Sequence, residues 1–83
     1  MTRIPRDIPL GRVLKALQSL GFHVVRSGTH IVLVRDEPDG TVTGLAIPSH
    51  RRVKGVTLLS AVTRAGVTRE ELAKALTGRN DDG

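Results

Sequence analysis

Apolar residues recur along this chain in two different periods, and the changes of period divide it into elements. Leu10, Val13, Leu14, Leu17 and Leu20 stand at i, i+3, i+4, i+7 and i+10, a single stripe of helical spacing. The stripe predicts a helix that opens near Pro9, where a missing N–H costs nothing, and stops at Gly21. Phe22 to Ser27 is then rich in β-branched residues, Gly28 interrupts, and Thr29-His30-Ile31-Val32-Leu33-Val34-Arg35 is the strongest strand signal in the chain. Asp36 to Gly40 is a turn cluster ending in a tight-turn pair, Asp39-Gly40. Thr41 to Ile47 reads as a third strand, weakened by Gly44 and ended by Pro48. Helical period resumes at Leu58, Leu59, Val62 and Ala65, capped near Thr57 and stopped by Gly66. Thr68-Arg69-Glu70-Glu71 has the pattern of a capping box, and Leu72, Ala73, Ala75 and Leu76 give a last short helix stopped by Gly78.

The stretches between these elements read as irregular. Pro5 and Pro9 keep Ile4 and Ile8 out of helix, so residues 1–8 are expected to form an irregular arm. Pro48 to Gly55 is expected to be a basic loop, and residues 79–83 a flexible tail. The order is helix, three strands, helix, short helix. Short connections make the strands an antiparallel meander, and the two main helices are expected to cover one of its faces. The fold class is therefore α+β, a two-layer sandwich in α-β-β-β-α order with a short extra C-terminal helix, built as one domain over residues 1–83.

Composition narrows the chemistry. The 83 residues include no cysteine, which removes disulfides, thiolate metal sites and cysteine nucleophiles. Phe22 is the only aromatic residue, which removes any binding mode that stacks bases on several rings. A chain this short has no deep cleft between lobes, so no small-molecule cofactor is expected. Nothing in it has the length of a membrane span, and the segment from Met1 to Leu10 has no apolar run of a secretory signal. The expected compartment is the cytoplasm, with no membrane partner.

The formal net charge is +5, and the whole surplus falls in the first 35 positions, which hold six basic residues and one acid. A second basic cluster is Arg51-Arg52-Lys54. Ten of the thirteen basic residues are Arg, whose planar fork suits phosphate oxygens. A polyanion such as nucleic acid is the natural partner of such a surface. The competing explanation is the coding bias of a GC-rich genome.

Three histidines carry the candidate chemistry. His23, His30 and His50 are spaced by seven and by twenty, which is no metal-ligand pattern, and no metal is expected. His30 enters the central strand behind Ser27-Gly28-Thr29, so small residues leave its imidazole uncrowded. Strand alternation puts it on the side of Val32 and Val34, opposite Ile31 and Leu33. Both sides are apolar, so the pattern leaves open which one the helices cover. A strand histidine is ordinarily a half-buried structural residue. The alternative is general acid–base work near neutral pH. RNA supplies its own nucleophile, the 2′-hydroxyl, so a base that takes that proton and a cation that steadies the phosphate would suffice. His50 beside Arg51-Arg52 is either a surface loop residue or a functional one, as a phosphate contact or a second proton donor. His23 reads as structural or solvated.

Gly21-Phe22, four residues, then Ser27-Gly28-Thr29-His30 and an apolar strand resemble the signature of HicA-type toxins. Ile47-Pro48-Ser49-His50 resembles a second segment of that family. Lys54-Gly55-Val56-Thr57-Leu58 followed by Ala65-Gly66-Val67 resembles a third. Together they cover roughly Leu10 to Leu72 in the family's order. The resemblance implies a fold like a double-stranded-RNA-binding domain and an mRNA interferase, the toxin of a type II toxin–antitoxin pair. It also implies a HicB-type antitoxin that covers the active site. It places the catalytic histidine on His30, the preceding glycine on Gly28, a second histidine on His50 and a basic position on Lys54. Thr29 stands where the family has serine, Val56 where it has glycine and Gly55 where it has proline. The tip from Asp36 to Thr43 is longer than the family's.

The expected function is thus a metal-independent endoribonuclease with His30 as its acid–base residue. Gly28, Thr29, Arg26, Lys15, His50, Arg51, Arg52 and Lys54 are the expected RNA-binding residues. Two alternatives stay open: a non-catalytic RNA-binding module on the same fold, and a protein-interaction domain whose charge reflects coding bias.

Overall fold

The computed structural model describes residues 3–77. Its elements run β1 (Asp7–Pro9), α1 (Leu10–Ser19), β2 (His23–Arg26), β3 (His30–Asp36), β4 (Val42–Pro48), β5 (Arg52–Lys54), α2 (Gly55–Arg64) and α3 (Arg69–Thr77). The fold is α+β. At its centre is the α-β-β-β-α order of a double-stranded-RNA-binding-type domain, followed by the short extra helix. Gly78 and the expected tail at 79–83 lie outside the described residues.

The main sheet has strand order β2-β3-β4 and is antiparallel throughout. Ile31 pairs with Ile47 and Leu33 with Leu45, and all four are buried. They meet Val13, Ala16 and Leu17 of α1, Leu58 and Val62 of α2, and Leu72 and Leu76 of α3 in one core. The alternation left ambiguous by the sequence is thereby resolved. Ile31 and Leu33 face the helices, while His30, Val32 and Val34 share the open face with Ala46 and Pro48 of β4.

Both main helices end in the same way. Gly21 and Gly66 adopt φ of 97° and 88°, a region open to glycine at little cost. The Phe22 N–H donates to the Leu17 carbonyl and that of Gly21 to Gln18. Val67 and Gly66 repeat the pattern onto Val62 and Thr63. These are Schellman motifs, and the apolar residue after each glycine, Phe22 or Val67, is buried against the helix it terminates.

Two segments differ from expectation. Asp7–Pro9, at the end of the stretch read as an arm, is a strand. So is Arg52–Lys54, inside the stretch read as a loop. They pair antiparallel, with Ile8 opposite Val53. Each contributes one apolar residue to the core, Ile8 and Val53, both essentially inaccessible. A three-residue strand shows no alternation to read, so only its partner makes it visible. Helix α2 consequently begins at Gly55, earlier than the cap near Thr57. The Gly55 N–H donates to the Arg6 carbonyl at 2.8 Å, which ties the N-terminal segment across the start of α2.

Candidate functional site

The β2–β3 turn and the β4–β5 connection lie side by side at one end of the main sheet. Ser49 joins them. Its backbone N–H donates to the Thr29 carbonyl at 3.2 Å, and its hydroxyl donates to the Gly28 and Thr29 carbonyls at 2.6 and 3.0 Å. His30 opens β3 directly opposite Pro48. This end of the sheet therefore collects Gly28, Thr29, His30, His50 and Arg51 from two distant stretches of sequence. His50, Arg51 and Arg52 are exposed. The Arg51 carbonyl accepts from the Leu10 N–H at 2.9 Å, so its backbone is anchored while its side chain is free to reach a ligand.

His30 is exposed and lines an open groove of about 530 Å³. One wall is the open sheet face at Ala46 and Pro48. The other is α2, through Val56, Thr57, Ser60, Ala61 and Arg64. The groove thus sets an imidazole beside two hydroxyls and a guanidinium. Gly28 lies two residues before His30, and a Cβ placed on it would meet no protein atom within 4 Å. Its φ is not in the left-handed region either. Nothing inside the protein requires a glycine there, so the space beside it is open to a ligand.

Arg26 pairs with Val32 across a register shift that follows Val24, which puts it on the same open face as His30. Lys54 and Lys15 lie elsewhere. Lys54 pairs with Asp7 in the small sheet and lines a separate groove with the N-terminal segment. Lys15 lines a groove between α1 and α3 with Arg12 and Leu76, apart from the His30 groove. His23 is exposed on the open face, opposite Val34.

Two residues of the first 35 that supply the charge surplus are engaged in holding the fold. Arg35 donates to the Leu20 carbonyl at 3.1 Å and to Glu37 at 2.8 Å, and its guanidinium lies 4.6 Å from the centre of the Phe22 ring. Arg12 donates to the Leu76 carbonyl near the end of α3. The hydroxyl of Thr43 and the guanidinium of Arg35 together hold the Glu37 carboxyl below the usual glutamate range. These groups do not face the groove.

The residue that sequence reasoning missed is Arg64. Its signal was present, because Thr57, Ser60 and Arg64 stand at i, i+3 and i+7 on α2, a polar stripe of helical period. It lacked meaning until the sheet showed which side of α2 borders His30.

Residues 11–67 match the family model for the HicA toxin of bacterial toxin–antitoxin systems. The chain belongs to the HicA toxin family. No curated protein and no solved structure matches it significantly. As a HicA-family toxin it is one member of a pair whose other member is an antitoxin. The matched span runs from α1 through the end of α2 and includes His30, Gly28 and His50. The segment before α1 and the helix α3 of this HicA-family chain lie outside it. No helix of the described residues is long and apolar enough to cross a membrane.

Proposed function

We propose that this toxin is a metal-independent endoribonuclease that cleaves mRNA in the cytoplasm, with His30 as its general acid–base residue. The observation that carries this reading is the His30 groove, which an exposed imidazole and Arg64 line together, two residues along the chain from the open space at Gly28. In this mechanism an RNA strand enters the groove with its backbone against Gly28 and Thr29. His30 takes the proton of a 2′-hydroxyl. The oxygen attacks the adjacent phosphorus, the bond to the 5′ oxygen breaks, and a proton is delivered to that leaving oxygen. The products are a 2′,3′-cyclic phosphate and a 5′-hydroxyl. The substrate supplies the nucleophile, so the protein needs only a base and cations that steady the phosphate as its charge develops. Arg64 borders the reacting position and Arg26 shares the open sheet face with His30, while His50 and Arg51, with Arg52 following on β5, meet the neighbouring backbone. The partner is a HicB-type antitoxin that covers this groove.

The test is growth and RNA decay after induction of wild type and of His30→Ala. The variant should lose both growth arrest and cleavage by at least about a hundredfold, the scale of a lost acid–base group, with an unchanged circular dichroism spectrum. A His30→Ala protein that remains equally toxic removes His30 from the mechanism. Wild-type protein that binds RNA with strong salt dependence but never cuts it is instead a non-catalytic RNA-binding module.

A further inference from the structure

A second groove, of about 770 Å³, lies between the N-terminal segment and the starts of α2 and α3. Arg3, Arg6, Lys54 and Arg69 line it, with Asp7 as its single carboxylate. None of these four cations takes part in an ion pair among the described residues, where the one such pair is Arg35–Glu37. The groove therefore concentrates positive charge that the protein itself leaves largely unanswered. Arg6 is tied down directly, and Arg3 precedes Ile4, which packs partly buried against the core. The strand pairing of β1 with β5 and the hydrogen bond from Gly55 to the Arg6 carbonyl hold that segment in place. Gly55 also sits so close beneath it that a Cβ there would lie 2.0 Å from the Pro5 carbonyl oxygen.

This groove is continuous with the one at His30. Val56, 77% exposed at the start of α2, lines both. A shallow depression along α2, bordered by Val56, Leu59, Ser60 and Arg64, joins them. The result is one track along α2, with the imidazole at one part and four cations at another. Arg3, Arg6 and Arg69 fall outside the span that matches the family model, while Lys54 lies inside it.

We propose that the four-cation groove is a second phosphate-binding subsite, which grips the backbone of the RNA strand away from the bond cut at His30. The proposal rests on the ribonuclease reading above. A nucleic acid strand repeats the same anionic group at every residue, so a strand held at His30 brings further phosphates along the track. Arginine forks match the oxygens of those phosphates. Acidic peptides would satisfy the charge but give no reason for the continuity with the imidazole.

The experiment compares wild type with Arg3→Ala/Arg6→Ala/Arg69→Ala in the full chain. The Arg6 carbonyl that accepts from Gly55 is kept in this variant. Binding is measured in a His30→Ala background with a labelled single-stranded RNA of about twelve nucleotides, across a salt series. Cleavage is measured on the same RNA and on a trinucleotide. The variant should bind the long RNA with a log–log salt slope shallower by about 2, three contacts at roughly 0.7 each. Its ratio of kcat/KM for long over short RNA should fall about tenfold or more. Arg→Lys at the three positions should restore most of both. An unchanged slope and ratio overturns the subsite, as does a loss confined to binding of a poly-glutamate peptide, which would make the groove a protein site. Wild-type protein that cleaves neither RNA overturns the ribonuclease reading instead, and the salt slope then still decides whether the groove holds phosphate.

Discussion

Two glycines of this chain occupy opposite situations, and they make opposite predictions. Gly55 is required by crowding, because the Pro5 carbonyl oxygen stands where a side chain would begin. Gly55→Ala should force the N-terminal segment off α2 and cost about 1–3 kcal/mol. Urea unfolding would show the loss, and faster amide exchange at position 55 would show that the segment has lifted. Gly28 is crowded by nothing and has no left-handed backbone. Gly28→Ala should leave stability unchanged or raise it by about 0.5 kcal/mol, while RNA cleavage falls because the new methyl occupies the open space where the RNA backbone would lie. Equal losses of stability and activity would mean that Gly28 serves the fold and not the ligand. Ser60, exposed in the wall of the same groove, offers a steric check. Ser60→Trp should block cleavage and leave the melting temperature within a few degrees of wild type, as surface substitutions do.

At the scale of elements, the ends of the helices organise the molecule more than their middles do. The paired Schellman motifs put Phe22 and Val67 into the core at the points where the chain leaves α1 and α2. Arg35 then ties the end of α1 to β3 and to the β3–β4 tip through Leu20, Phe22 and Glu37. Arg35→Ala should lower the melting temperature by roughly 5–10 °C, the loss of a charged hydrogen bond and a cation–π contact in a domain of this size. Helix α3 opens on a capping box, in which Glu71 accepts from the Thr68 N–H at 2.8 Å and Thr68 accepts from the Glu71 N–H at 3.1 Å. The Thr68 N–H, with its hydroxyl in second place, holds the Glu71 carboxyl below the usual glutamate range. Thr43 and Arg35 do the same to Glu37. Each carboxyl titrates lower folded than unfolded, so its contribution is fully present above the unfolded value and is lost as pH falls through the folded one. Thermal stability should therefore be level at neutral pH and decline below about pH 4.5. Glu71→Gln should flatten part of that decline, as melting temperatures across a pH series would show.

Over the whole molecule, the basic surplus divides into two uses. Arg12 and Arg35 hold carbonyls and a ring within the fold. Arg64 shares the His30 groove, Arg26, Arg51 and Arg52 are exposed elsewhere on the surface, and Arg3, Arg6, Lys54 and Arg69 line the second groove. A single strand held by four phosphate contacts should lose roughly 50-fold in affinity as salt rises from about 0.05 to about 0.2 M. Fluorescence anisotropy on His30→Ala protein would measure this, and an affinity indifferent to salt would rule out backbone recognition. Binding by shape and charge is also what a molecule with one aromatic residue has available, since that residue, Phe22, is buried beneath Arg35.

The main elements were legible in the sequence because each obeys a local rule. The leucine stripe of α1, the glycines that end α1 and α2, the capping box of α3 and the β-branched run of β3 are all decided within a few residues of chain. The candidate histidine was legible for the same reason, through the small residues that precede it. Strands β1 and β5 were not, because three residues carry no period and only pairing makes them strands. Which face of β3 the helices cover was equally undecidable, since Val32 and Val34 are as apolar as Ile31 and Leu33. Tertiary packing decided that, and with it that His30 is open. It also placed Ser49 against Gly28, Arg64 across from His30, and the cations of residues 3 and 6 beside that of residue 69. Those juxtapositions depend on where the whole chain closes on itself, and no local pattern encodes that.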